Sequence, residues 1–325
     1  MRVITLTLGA AGLVAIALVL LLAAWRESKG LTSPPSYSQP DPETFVFPET
    51  PQSRSGLPYE DVSFAVAPGQ TLRGWLVPSA DESDLVVVTL HGRSGDRRTH
   101  LKHLPMLHDL GAAVLLFDMR ENGLSDGQGR GTGLAVREAR DAVAAAREMH
   151  ERGYGRIVVM GCSLGGSAAI LAAAQEPLID GVIAEASIAR FEDFVGDYTR
   201  QRLRGRADWA GRMWGRFVVG LTRLRIGLDE YAAPADMIAD ISPRPVFLIH
   251  GGQDSVVKRS HADLLHQKTG GQAEFWLIED AGHCNGFETA GEIYQGRVAA
   301  FLGQFRTRDD ATGSPSPETQ PEQHQ

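Results

Sequence analysis

Hydrophobic residues in this chain fall into short unbroken blocks separated by polar, helix-favouring stretches. Leu85–Leu90 is one such block, and residues 114–117, 157–160, 182–184, 246–249 and 275–278 repeat its character. Continuous apolar runs of this length suit strands buried on both faces of a parallel sheet. Residues 62–66 and 72–77 come before them and read as a hairpin. Of the intervening segments, 134–151 is rich in Ala, Arg and Glu, which favour helix, and 164–174 is small and apolar, as a helix packed on a sheet requires. Strands alternating with helices predict an α/β fold: a mostly parallel central sheet with helices on both faces. There is no internal repeat.

The two ends depart from this pattern. After Arg2, residues 3–25 carry no charge, and such a helix spans the roughly 30 Å hydrocarbon core of a bilayer. The run is longer than the ~7–15 apolar residues of a secretory signal, and Ala23-Ala24-Trp25 is a poor cleavage site. Residues 1–25 are therefore expected to be an uncleaved, single-pass transmembrane signal anchor, with a cleaved signal peptide or a soluble core helix as alternatives. The two-residue leader resembles that of a signal anchor, so the folded domain is expected outside the cytoplasm. Residues 26–57 hold Pro34, Pro35, Pro40, Pro42, Pro48 and Pro51, a density that predicts an extended stalk. The polar segment 307–325 is expected to be a disordered tail, leaving 58–306 as the folded domain.

Composition narrows the function classes. With 325 residues, 43% of them hydrophobic, the chain can bury a substantial core and is not globally disordered. Its net charge of −8 lacks the basic surplus of a nucleic-acid binder. Two cysteines, Cys162 and Cys284, make neither a disulfide framework nor a zinc site, and each is expected as a core thiol beside a candidate catalytic residue. His100, His103 and His108 lack the carboxylate of an H-E-x-x-H metal motif. The alternate glycines Gly127, Gly129, Gly131 and Gly133 have no Lys-Ser ending and no strand leading in, so they read as a flexible loop rather than a phosphate cradle. No metal or cofactor is expected.

The candidate chemistry lies at three strand ends. Gly161-Cys162-Ser163-Leu164-Gly165 follows the strand at 157–160 and precedes a helix, the context of a nucleophile elbow. Asp254 follows the strand at 246–249, and His283 follows the strand at 275–278. Ligands bind at this edge of open α/β sheets. The order serine, acid, histidine gives Ser163 a base in His283 and gives His283 an orienting acid in Asp254. The oxyanion hole is assigned to the backbone N–H groups of Leu164 and Arg93, with Ser94 as the alternative to Arg93.

On these residues, with His91-Gly92 and Asp118-Met119-Arg120-Glu121-Asn122-Gly123-Leu124-Ser125, the core from about Tyr59 to Phe305 resembles the α/β-hydrolase superfamily. It is most similar to the membrane-associated α/β-hydrolase-domain and serine-aminopeptidase-like (S33-type) branch. One departure is Glu121, where the family commonly has glycine. The resemblance implies hydrolysis of an ester, thioester or amide, and a helical cap inserted over the site at about 190–235. Within it, 190–225 holds nine Arg against four acidic residues. Trp209, Met213, Phe217, Leu221 and Leu224 share one helical face beside an Arg212, Arg216, Arg223 stripe. That face is expected to pack on its own domain, with contact to anionic lipid as the alternative. The leading expectation is a serine hydrolase of an ester or thioester of a small-molecule or lipid acyl substrate, held at a membrane. An aminopeptidase-type serine peptidase and a membrane-tethered non-catalytic scaffold are the alternatives.

Overall fold

A computed structural model describes residues 2–33, 45–81, 83–202 and 208–305, with side chains from residue 12 onward at the N-terminal end. Eight strands form one sheet: β1 Glu60–Ala67, β2 Gln70–Val77, β3 Leu85–Leu90, β4 Ala113–Asp118, β5 Arg156–Cys162, β6 Gly181–Glu185, β7 Val246–Gly251 and β8 Glu274–Ile278. Their order is β1-β2-β4-β3-β5-β6-β7-β8. β1 and β2 form the expected hairpin, antiparallel to each other and to β4, and every other pairing is parallel. β3, β4, β5, β6 and β7 have almost no exposed residue, which is why their sequences read as unbroken apolar runs.

The helices are α1 Arg2–Thr32, α2 Pro51–Ser55, α3 Leu104–Asp109, α4 Val136–Glu151, α5 Leu164–Gln175, α6 Phe191–Arg202, α7 Asp208–Ile226, α8 Pro234–Met237, α9 Arg259–Lys268, α10 Gly286–Ala290 and α11 Glu292–Leu302. Two apolar clusters cover the two sheet faces. One joins Val86, Val88 and Leu115 to the Ala-rich faces of α4 and α5, and the other joins Val87, Leu116 and Phe247 to Tyr294 and Phe301 of α11. α6 and α7 form the inserted cap.

Three expectations change. Among the described residues no helix is long and apolar enough to cross a membrane, so the transmembrane anchor finds no support. The stalk does not begin at Arg26, because α1 continues to Thr32 and buries Ala24, Ser28 and Thr32, one helical face, against the domain. Phe47 and Pro51 are buried too, and Phe47 meets Trp75 edge-on at 5.0 Å. The remainder of the stalk, at 34–44, and the tail at 307–325 lie outside the described residues. Third, the expected apolar face of α7 points largely outward, although its Leu221 packs against the core. Trp209, Met213, Phe217 and Leu224 are 66%, 59%, 47% and 82% exposed, while Gly211, Gly215, Val218, Val219, Thr222 and Ile226 are buried. Small residues set this choice. A Cβ on Gly215 would strike the Glu192 carbonyl, and one on Gly211 would lie 3.0 Å from the Gly196 oxygen, so α6 and α7 pack backbone to backbone and leave the bulky side chains outside.

Candidate active site

Ser163 sits where β5 turns into α5, at φ 56° and ψ −117°. A non-glycine residue in this region is strained, and the surrounding contacts hold it there. The Ser163 N–H donates to the Glu185 carbonyl at 2.9 Å, and the Ser167 hydroxyl donates to the Ser163 carbonyl at 3.0 Å. Glycine is required at both flanks: a Cβ on Gly161 would meet the Gly165 backbone, and one on Gly165 would meet the Leu90 carbonyl.

Asp254 and His283 come together as expected. His283 Nδ1 donates to Asp254 Oδ2 at 2.8 Å, and Asp254 Oδ1 accepts the N–H groups of Val256 and Val257 at 2.8 and 2.9 Å. Burial opposes ionisation of Asp254, but the His283 hydrogen bond and charge, with those two N–H groups, outweigh it and hold the carboxyl below its ordinary range. An ionised acid on Nδ1 leaves Nε2 of His283 as an acceptor. Ser163 and His283 line the same cavity, of about 380 Å³, with Arg93 and Leu164 in its wall.

The loop after β3 has a defined orientation. His91 Nε2 accepts the Met119 N–H at 3.0 Å, so the His91 proton is on Nδ1, which donates to the Gly92 carbonyl at 2.8 Å. Burial lowers the His91 pKa and keeps the ring neutral, as this pattern requires. The Gly92 carbonyl also accepts the Gly95 N–H. In a trans peptide the N–H of Arg93 points opposite to that carbonyl, away from His91. Leu164 opens α5, so its N–H is one of the donors a helix leaves without an intrahelical acceptor. The Arg93 side chain donates to the Gly30 carbonyl of α1 at 2.6 Å.

Sequence reasoning missed three features. The first corrects the expectation of two thiols: Cys162 and Cys284 form a disulfide, with Cα atoms 6.0 Å apart, that joins the residue before Ser163 to the residue after His283. Their adjacency to the two candidate catalytic residues was the available signal. The second is Glu185, at the end of β6. It is buried, and its carboxylate accepts the Gly286 N–H at 2.9 Å and the Tyr294 hydroxyl at 3.2 Å, bracing the turn that carries His283. Lys102 braces the same turn, donating to the Cys284 carbonyl and to Glu288. The third is α1, whose Leu31 reaches the cavity wall. The two histidines His100 and His103 are buried and face each other at 3.2 Å, and the described residues contain no metal-holding group of three or more His, Cys, Asp or Glu side chains.

Residues 87–295 match the profile of the alpha/beta hydrolase family. Among curated proteins, the chain is 27% identical over 250 residues to the uncharacterised protein YfhR of Escherichia coli O157:H7, covering 75% of this chain and 80% of that one. It is 27% identical over 271 residues to a polyketide transferase of Stachybotrys chlorohalonatus, covering 70% and 90%. A solved esterase of Pyrococcus furiosus superposes with a TM-score of 0.64 at 24% identity, covering 82% of this chain and 98% of that one.

Proposed function

Given that this chain belongs to the alpha/beta hydrolase family, we propose that it is a serine hydrolase cleaving an ester or thioester of an acyl substrate through Ser163, His283 and Asp254. The observation that carries the reading is the His283–Asp254 hydrogen bond, with His283 and the strained Ser163 lining one cavity. His283 Nε2 takes the Ser163 proton as Oγ attacks the acyl carbon. The developing oxyanion is met by the N–H groups of Arg93 and Leu164. The alcohol or thiol leaves with the proton from His283, and water activated by the same imidazole releases the acid and restores Ser163.

Esterase structure supports an acyl substrate by analogy of fold alone, so the test is a panel. p-Nitrophenyl esters, acyl thioesters and aminoacyl p-nitroanilides are offered to the full chain. Turnover of the esters or thioesters at least tenfold above the anilides is expected, and the reverse preference would replace this reading with the peptidase.

The exposed apolar side chains of α7, with Leu18, Leu21, Leu22 and Trp25 of α1, support contact with a lipid surface. Arg212 and Arg216 are exposed beside them and favour anionic lipid. Arg223 leaves the expected stripe: it lies over the Tyr231 ring at 5.4 Å and donates to the Asp229 carbonyl. The Cys162–Cys284 disulfide supports work in an oxidising, extracytoplasmic compartment.

A further inference from the structure

We propose that the C-terminal part of α1 is the wall of an acyl-chain site, so that the N-terminal helix sets the length of chain accepted at Ser163. The inference rests on the ester-hydrolase reading and deepens it. A second cavity, of about 600 Å³, lies between α1 and α6. It shares Leu31, Arg93 and Phe194 with the cavity that holds Ser163, so the two are neighbours with these residues at their junction. Beyond that junction its wall includes Ala23, Gly30, Val195 and Tyr198. A volume of this size with a largely apolar lining suits a small hydrophobic ligand. An acyl group with its carbonyl at Ser163 can pass its chain between Leu31 and Phe194 into this space.

α1 is built into the site at its end. The last four carbonyls of a helix lack intrahelical donors, and here each is met. Ser33 N–H donates to Lys29, the Arg93 guanidinium to Gly30, the Thr132 hydroxyl to Leu31, and the Thr132 N–H to Thr32. Arg93 and Thr132 belong to the loops after β3 and β4. On the cap side, Trp214 Nε1 donates to Glu27 at 2.7 Å and Arg225 Nε to the Ser28 hydroxyl at 2.9 Å. Both halves of the catalytic domain therefore hold the helix against the cavity. Three charged residues, Arg26, Glu27 and Arg93, also line the wall, and two of them, Arg93 and Glu27, are engaged in these same bonds.

Gly30 offers a clean way to fill the space, since a Cβ there meets no atom within 4 Å. The full chain, Gly30→Phe and Ala23→Phe are compared on p-nitrophenyl acetate, hexanoate and decanoate, with thermal melts to establish that each variant is folded. The wild-type kcat/KM is expected to rise by up to roughly fourfold per added methylene as the chain leaves water. Each variant should lower the decanoate-to-acetate ratio at least tenfold. A folded Gly30→Phe and Ala23→Phe with the wild-type ratio would overturn the proposal. Binding of decanoate to Ser163→Ala, by calorimetry, separates this claim from the reaction. Binding that weakens at least tenfold when Gly30→Phe is added supports the chain site, and no binding, or binding indifferent to Gly30→Phe, overturns it. If no ester is cleaved, the ester reading falls and the decanoate titration alone decides the chain site.

Discussion

Single residues here carry conformations that only their partners explain. Glu121 takes a positive φ of 66°, where the family commonly has glycine. Its carboxylate accepts the N–H groups of Gln128, Gly129 and Arg130, which organises the loop that the sequence suggested was merely flexible. Asp254 works in a related way on His283. Asp254→Asn should leave the fold intact and lower kcat roughly 10³- to 10⁴-fold, because an amide permits the wrong imidazole tautomer. The carboxyl is held below its ordinary range, so its contribution to stability is complete above that range, ~4, and is lost only as pH falls through the lowered folded value. The difference in Tm between wild type and Asp254→Asn should accordingly be present at pH 5 and close in stronger acid. A difference that closes already above pH 5 would mean that Asp254 is not so stabilised.

Between elements, the disulfide ties the β5–α5 turn to the turn after β8 across a sequence separation of 122. Closing so long a loop removes much of the freedom of the unfolded chain. Cys162→Ala with Cys284→Ala should cost roughly 2–4 kcal/mol of stability, and thiol reduction should lower the wild-type Tm toward that of the double variant. An unchanged Tm in both cases would exclude the bond as a structural tie. What the sequence disclosed follows from range. β3, β5 and β7 are legible because each is buried on both faces, and Ser163 and Asp254 because each follows such a strand; His283 follows the half-buried edge strand β8. The Cys162–Cys284 pair and the capping of α1 by Arg93 and Thr132 join residues far apart, with no periodic signal. For α7, an amphipathic pattern shows two faces without saying which is buried. Gly211 and Gly215 decide it by allowing close approach to α6.

At the scale of the whole molecule, the sheet edge, the cap and α1 enclose one site, and the outer faces of α1 and α7 leave an apolar surface beside it. If that surface rests on lipid, the full chain should float with anionic vesicles. Trp209→Ser with Phe217→Ser should reduce the bound fraction severalfold, and Arg212→Gln with Arg216→Gln should remove its salt dependence, since exposed charges are screened within about 8–10 Å at physiological ionic strength. Equal flotation of the wild type and the Trp209, Phe217 variant would show that α7 does not touch lipid. The central claim is that Ser163 is the nucleophile. Intact-mass and peptide mass spectrometry after treatment with a fluorophosphonate tests it most directly. One equivalent of adduct on the peptide containing Ser163, and none on Ser163→Ala, is the predicted result. An unlabelled wild type, or a Ser163→Ala chain labelled as fully as wild type, would contradict it.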